Sequence, residues 1–340
     1  MTCPPIHIVI AVWGRSYTDL FLEVGLPSLL SEGNLCALRK ADGHAIHLIT
    51  MAQDLETIEQ SPVWRKALEV IDIKQTILPK SADLSNPHEL MSSCHRTAIE
   101  VAGQQDAALL FFNPDIVLAD GAMKTLVGIL EQGKRAVQVL GPRASKEAVV
   151  PLLLRKWSSD DGKCLTITPR ELMALAIEHM HPITRMHLYE AEDEDILPQN
   201  LFWKVNGGLL GRCFHIHPIL VYPRVRNARF ATTVDDNFLR AACPNSEDEY
   251  VITNSDEFAL CELSSTTRSY AGFARLPDGW ETSKWAWKHA RAHHFEHLTR
   301  RFFLHTGDAS ELEWEEAVAK SDAAVRKILR QVLQLEALQT

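Results

Sequence analysis

No two of the seven cysteines form a CxxC pair; they stand at positions 3, 36, 94, 164, 213, 243 and 261. An odd number at irregular spacing argues against a disulfide framework or a structural zinc, and predicts reduced, mostly buried thiols of a cytoplasmic protein. Clustered Lys and Arg are also missing. The formal net charge is −9, with both signs mixed along the chain, so a nucleic-acid surface is not expected. Long apolar runs are absent too: the opening "MTCPPIHIVIAVWGRS" has no basic leader and its apolar stretch is too short to cross a bilayer, which predicts neither a signal peptide nor a transmembrane segment. There is no internal repeat or low-complexity segment.

What the chain does have is a repeating alternation of strand and helix patterns. With 340 residues, 46% of them hydrophobic, it holds ample material for a sizeable core. "IHIVIAVWG" is a β-rich run ended by Gly14. "TDLFLEVGLPSLLS" follows with helical spacing, Thr18 as its candidate N-cap and an interruption near Gly25 and Pro27. "HAIHLITM", "IKQTILP" and "DAALLFF" read as further strands, "PHELMSSCHRTAIEVAG" and "ADGAMKTLVGILEQG" as helices, and "RAVQVLGPRA" as another strand. Such βα units predict an α/β fold with a doubly wound, mostly parallel sheet. "LFWKVNGGLLGRCFHIHPILVYPR" predicts two strands about an Asn-Gly turn, as at a mixed sheet edge. The acidic "EAEDEDILP" reads as a solvated face or loop. From about residue 271 the composition shifts to Trp and His and then to a long amphipathic helix, so the expected division is a domain over 1–270 and a helical C-terminal extension over 271–340. That last helix suits packing on the body or, in a homo-oligomer, on a second subunit.

"LLFFNPDIVLADG" carries the first functional signal. Asn then Pro is ordinary chemistry for a type I turn. At the carboxyl end of a buried strand, however, Asn113 and Asp115 stand where open α/β sheets bind ligands. A departing diphosphate accumulates negative charge, which a hard cation held by carboxylate and phosphate oxygens neutralises. Asp115 is the direct ligand in this reading, and Asn113 offers its carbonyl oxygen or orients a ligand water. Asp54, after the second strand, is placed either for a nucleobase N–H or ribose hydroxyl or as a helix N-cap. In "VWGRS", Trp13 could stack on a base and Arg15 face phosphate; a core Trp is the alternative.

A strand near the N-terminus, a second ending near Asp54, and one running into Asn113-Pro114-Asp115 together resemble the nucleotide-sugar glycosyltransferases of GT-A fold, particularly the family-2-like ones, over roughly residues 6 to 260. The resemblance implies a DxD-type motif at 113–115, with an amide replacing one carboxylate. It implies a divalent cation, Mn2+ or Mg2+, bridging the diphosphate of a nucleotide-diphosphate sugar donor. The acceptor would be a saccharide, a lipid-linked group or a protein. By the same analogy a His beyond the catalytic domain, His294 or His305, would complete the metal site.

Transfer to an acceptor hydroxyl also asks for a general base. "TTVDDNFL" offers Asp235 and Asp236, whose adjacency favours proton acceptance near neutrality. "TNSDEFALCEL" offers Asp256 and Glu257, behind a Ser255–Asp256 pair that resembles an N-cap. Asn206-Gly207-Gly208 would let a substrate approach the backbone, or form a plain hairpin turn. His215 and His217 alternate as on one strand face, and His289, His293 and His297 as on one helix face. Two other functions stay open: a sugar nucleotidyltransferase, although "VWGRS" lacks the Gly-rich basic loop expected there, and a non-catalytic carbohydrate- or partner-binding protein on a degenerate transferase fold.

Overall fold

The computed structural model describes residues 3–38, 42–191, 195–226, 228, 234–267 and 270–338. The middle of the acidic run, residues 192–194, lies outside them. The chain forms two compact units, each assembled from three segments: Met1–Val139, Val150–Thr168 and His217–Ile252 make the first, and Leu140–Val149, Pro169–Ile216 and Thr253–Thr340 the second. Residue 271, where the composition shifts, falls within the last segment of the second unit.

The strands of the first unit are β1 (Ile6–Val12), β2 (Ala45–Thr50), β3 (Asp72–Ile77), β4 (Ala108–Phe111), a short β5 (Ile116–Leu118), β6 (Ala136–Val139), β10 (His217–Val221) and β11 (Glu249–Ile252). Among the described residues seven of them build one sheet in the order β11-β6-β10-β4-β1-β2-β3. β1 pairs in parallel with both β2 and β4, β2 with β3, and β6 with β11, while β10 runs antiparallel between β4 and β6. The mostly parallel α/β sheet expected from the alternation is therefore present. Every residue of β1, β2 and β4 is buried, as in parallel strands covered on both faces. β3, at an edge, carries Asp72, Lys74, Gln75 and Thr76 and is largely open, which discourages further strand pairing.

Helices α1 (Arg15–Leu20), α2 (Leu26–Leu29), α3 (Ala52–Gln60), α4 (Pro62–Val70), α5 (Pro87–Gln104), α6 (Ala122–Glu131) and α10 (Asp236–Ala242) connect these strands. α5 and α10 share one apolar cluster with the sheet, in which Cys94, Ala98, Ile99 and Ala102 of α5 and Phe238, Leu239 and Ala242 of α10 meet Val9, Ala11, Leu109 and Phe111. The first helix begins three residues earlier than its expected Thr18 cap. Gly14, at φ 81°, turns the chain, its carbonyl accepts from the N–H groups of Tyr17 and Thr18, and Thr18 is buried inside the helix. The interruption foreseen at Gly25 and Pro27 is a π-helical turn over Phe21–Gly25, a usual way for a helix to absorb an extra residue.

The second unit contains β7 (Arg143–Ser145), β8 (Asn200–Val205), β9 (Gly208–Cys213), β12 (Leu260–Ser264) and β13 (Phe302–His305), with helices α8 (Pro169–Glu178), α9 (Pro182–Arg185), α11 (Trp280–His289), α12 (Ala292–Thr299) and α13 (Glu311–Ala337); α7 (Lys146–Lys156) starts in this unit and ends in the first. β8 and β9 form the predicted hairpin, with Val205 opposite Gly208, but it does not lie at the edge of the main sheet. It pairs with β13 into a separate antiparallel sheet, because Phe302–His305 offers β9 a second partner strand. α13 opens with a Ser310–Glu313 capping box and buries Ala317, Ser321, Ala324, Val325, Ile328 and Val332 at helical spacing. That stripe joins Trp203, Leu210, Phe214 and Trp285 in the unit's core. Among the described residues no helix is long and apolar enough to cross a membrane.

Two histidine patterns are corrected. β9 ends at Cys213 and β10 starts at His217, so His215 and His217 do not share a strand. α11 stops at His289 and α12 starts at Ala292, with Arg291 as its N-cap in extended backbone, so His289 does not share a helix face with His293 and His297.

Candidate functional site

The chain lays down β1, β2 and β3 outward on one side, then returns to place β4 on the other side of β1. The strand order thus reverses between β1 and β4, and open α/β sheets bind ligands in the crevice at the carboxyl ends of such strands. Both loops with predicted ligands leave the sheet there. Pairing persists to the strand ends, with Val9 opposite Phe111 and the Phe112 N–H donating to the Val9 carbonyl at 3.0 Å.

Asn113-Pro114-Asp115 is a turn: the Ile116 N–H donates to the Asn113 carbonyl at 3.1 Å. Asn113 and Asp115 are half-buried and Pro114 is buried. Gly25 backs this turn, since a Cβ there would lie 3.0 Å from the Pro114 carbonyl oxygen. The turn reading holds for the backbone, with Asn113 and Asp115 half-buried upon it.

Asp54 neither caps α3, whose N-cap is Met51, nor is it open to solvent. Its carboxylate accepts from the Gly14 N–H at 2.9 Å. A buried charge is spent on pinning the loop after β1 to the end of β2, a role that no local pattern advertised. Trp13 is half-buried and packs on the cluster containing Phe111 and Phe238. Arg15 forms an ion pair with Asp19 one turn along at 2.7 Å, its side chain 81% exposed.

The adjacent carboxylates take different partners. Asp235 is the N-cap of α10 and accepts from the Asn237 N–H at 2.9 Å. Asp236 is 6% exposed and accepts from the amide of Gln138 at 3.3 Å. Gln138, near the carboxyl end of β6, is a buried polar residue that the apolar pattern of that strand hid. β6 lies two strands from β4, roughly 10 Å at about 4.8 Å per step, so Asp236 stands at the same end of the sheet as Asp115.

The remaining predicted residues belong to the second unit. Asn206 is exposed at the hairpin tip and Gly207 has φ 91°. The close approach there is made by the chain itself: a Cβ on Gly207 would meet the Ala309 nitrogen at 2.9 Å, and one on Gly208 the Leu304 carbonyl oxygen and the tip of Trp314. Ser255 and Asp256 lie in a turn led by Asn254, whose side chain accepts from the Asp256 N–H, and not at a helix start. The Asp256 carboxylate is held by Arg170 through two bonds of 3.0 and 2.9 Å. His305 is half-buried; burial pushes its imidazole down, with Asp256 pulling it up and Arg170 opposing. His294 accepts from the Arg291 N–H at 2.8 Å as part of the α12 cap, and its ring lies 4.2 Å from that of His215. Among the described residues, no group of three close His, Cys, Asp or Glu ligand atoms includes Asp115 or His305.

No family model matches the chain, and no curated protein sequence matches it. Solved structures match it at low similarity. S. aureus TarS is 10% identical, with 86% of this chain and 42% of that one covered and a TM-score of 0.33. A chain assigned as a glucose-1-phosphate thymidylyltransferase of Bacillus anthracis, in complex with sucrose, is 12% identical over 42% of this chain and 57% of its own, TM-score 0.26. The 4-diphosphocytidyl-2C-methyl-D-erythritol synthase of Anaerococcus prevotii is 18% identical over 46% and 61%, TM-score 0.27. This chain spans less than two thirds of the length of each.

Proposed function

We propose that this chain is a glycosyltransferase that moves a sugar from a nucleotide-diphosphate sugar to an acceptor hydroxyl. What supports this reading is the strand-order reversal between β1 and β4, with the loop after β1 held by the Gly14–Asp54 bond and Asn113–Asp115 following the neighbouring strand β4. The donor's nucleoside would lie against the half-buried Trp13, in a loop fixed by the Gly14–Asp54 bond. Arg15, on its exposed side chain, would exchange Asp19 for phosphate.

The donor atoms offered at 113–115 are oxygens, one carboxylate and one amide, which suits a hard cation such as Mn2+ or Mg2+ with the diphosphate completing its shell. Such an ion would neutralise the charge that grows on the leaving diphosphate. Asp115 would be the anionic ligand and Asn113 a neutral one. For the base, Asp236 is favoured over Asp235, whose carboxylate is committed to the α10 cap. Asp236, set by Gln138 at the same end of the sheet, would take the proton of the acceptor hydroxyl as that oxygen attacks the anomeric carbon. The acceptor is a saccharide, a lipid-linked group or a protein.

Turnover of a panel of nucleotide-diphosphate sugars with Mn2+, read as released nucleotide, tests the proposal. Asp115→Ala should abolish turnover and exceed the effect of Asn113→Ala. Asp236→Asn should lower turnover ~10²-fold or more with donor affinity little changed. Wild-type turnover in Asp115→Ala would leave Asn-Pro-Asp as a turn alone.

A further inference from the structure

The second unit holds a cavity of about 400 Å³ that the proposed transfer site does not use. Its size is within the range of small-molecule sites, about 300–1,000 Å³. One wall is aromatic: Trp314 meets His305 edge-on at 4.8 Å and Phe303 at 5.3 Å between ring centroids. The lining is also charged, with Arg170, Asp308 and Glu311. Arg170 holds Asp256 with two bonds and also bonds Asp308, so one guanidinium ties together two carboxylates that lie 86 and 138 residues further along the chain.

The wall is built, not incidental. Gly208 leaves room for the Trp314 ring, since a Cβ there would come within 2.9 Å of it. The hairpin's neighbouring glycine receives Ala309 of the cavity lining in the same way. β13 delivers Phe303 and His305, and the Ser310 cap of α13 sets the turn of helix that carries Trp314.

Charge narrows the ligand class. Two carboxylates of the lining, Asp308 and Glu311, would face a phosphate or sulfate, which disfavours an anion. The Arg170 guanidinium, already bonded to Asp256 and Asp308, disfavours a metal ion or an amine. A neutral ligand with one apolar face and several hydroxyls satisfies both sides: its C–H face lies on the indole, and vicinal hydroxyls donate to carboxylate oxygens and accept from the guanidinium. We propose that this cavity is a binding site for a neutral saccharide, with Trp314 as the platform and Arg170, Asp308 and Glu311 as the hydroxyl-reading edge. This site stands apart from the reading of the first unit, because it asks for binding and not for turnover.

Ligand-observed saturation-transfer NMR and calorimetry on the full chain test it. The probes are neutral methyl glycosides of glucose, galactose and N-acetylglucosamine, with glucose 6-phosphate and tetramethylammonium as charged controls. At least one neutral glycoside should bind in the millimolar range or tighter, and both controls at least tenfold more weakly. Trp314→Ala should weaken that glycoside tenfold or more, and Trp314→Phe less than about threefold. Should Trp314→Ala fail to fold, Arg170→Gln, a surface change, should still cost fivefold or more. Binding of no neutral glycoside, tighter binding of tetramethylammonium or glucose 6-phosphate, or undiminished affinity in folded Trp314→Ala or Arg170→Gln would each overturn the assignment. None of these outcomes depends on nucleotide-sugar turnover.

Discussion

Removing the Asp54 carboxylate separates two roles that its position alone leaves mixed. In the structure it is 7% exposed and accepts from the Gly14 N–H at 2.9 Å. Gly14 is the residue at which the chain leaves β1, at φ 81°. Asp54→Ala deletes a charge-assisted hydrogen bond with a net worth of about 1.5–3 kcal/mol. It also removes a carboxylate from the first turn of α3, worth about 0.3–1 kcal/mol. A loss of about 2 kcal/mol corresponds to roughly 30-fold in a local opening equilibrium. The Gly14 amide should therefore exchange with deuterium ~30-fold faster or more in Asp54→Ala, while Asp54→Asn, which keeps an oxygen acceptor, should stay within about tenfold of wild type. If the loop is part of the donor site, the donor KM should rise in Asp54→Ala and largely recover in Asp54→Asn. Unchanged protection at Gly14 in Asp54→Ala would refute the pinning argument. Equal loss of donor affinity in both variants without faster exchange would instead make Asp54 a direct ligand of the nucleotide.

Burial holds the imidazoles of His95, in the first unit, and His187, in the second, down to about 4. Their folded values lie below the unfolded one near 6.5, so the unfolded chain binds more protons, and stability present above pH 6.5 is lost as the pH falls towards 4. Each group should remove about 2–3 kcal/mol by pH 4.5, so the urea midpoint should drop between pH 6.5 and 4.5; a flat midpoint would contradict the buried-neutral assignment. Arg212 is 2% exposed and bonds Asp322, the Ser321 hydroxyl and the Thr299 carbonyl. Asp322→Ala should cost about 3 kcal/mol, and Arg212→Met with Asp322→Ala markedly less, because the single change leaves a buried charge; equal losses in chemical denaturation would exclude that account. Asp235→Ala should cost about 1 kcal/mol through the α10 cap and leave turnover far closer to wild type than Asp236→Asn; the reverse order of activity would exchange their roles.

The centre of the main sheet was legible because β1, β2 and β4 are buried on both faces and are therefore written as largely apolar runs. β1 and β4 could be placed within a residue or two, and the alternation with helices fixed their mostly parallel sense. What failed was the meaning of local punctuation. Thr18 has the chemistry of a cap, but Gly14 supplies the turn, and a helix starts where the backbone bends. The His289, His293 and His297 spacing assumed a helix through Ala290 and Arg291, which instead adopt extended backbone between α11 and α12. The hairpin about Asn206 was read correctly as a hairpin. Its sheet was not, since the partner strand β13 lies about ninety residues further on and no local signal names it.

The same distance dependence governs the candidate sites. Asn113 and Asp115 could be put forward as candidates because the strand that precedes them is adjacent in sequence. Gln138 could not be linked to Asp236, nor Arg170 to Asp256 and Asp308, because those pairings are separated by 98, 86 and 138 residues. The glycines of the hairpin show how a correct inference can receive the wrong object. Gly207 and Gly208 signal that something approaches the backbone closely, and something does, but it is Ala309, Leu304 and Trp314 of the same chain. Their small size is spent on setting an aromatic wall, so a larger residue at 208 should displace Trp314 before it touches any ligand. A glycine pair in such a turn therefore points first to what the fold must pack against it, and to a substrate only through the cavity that this packing leaves open.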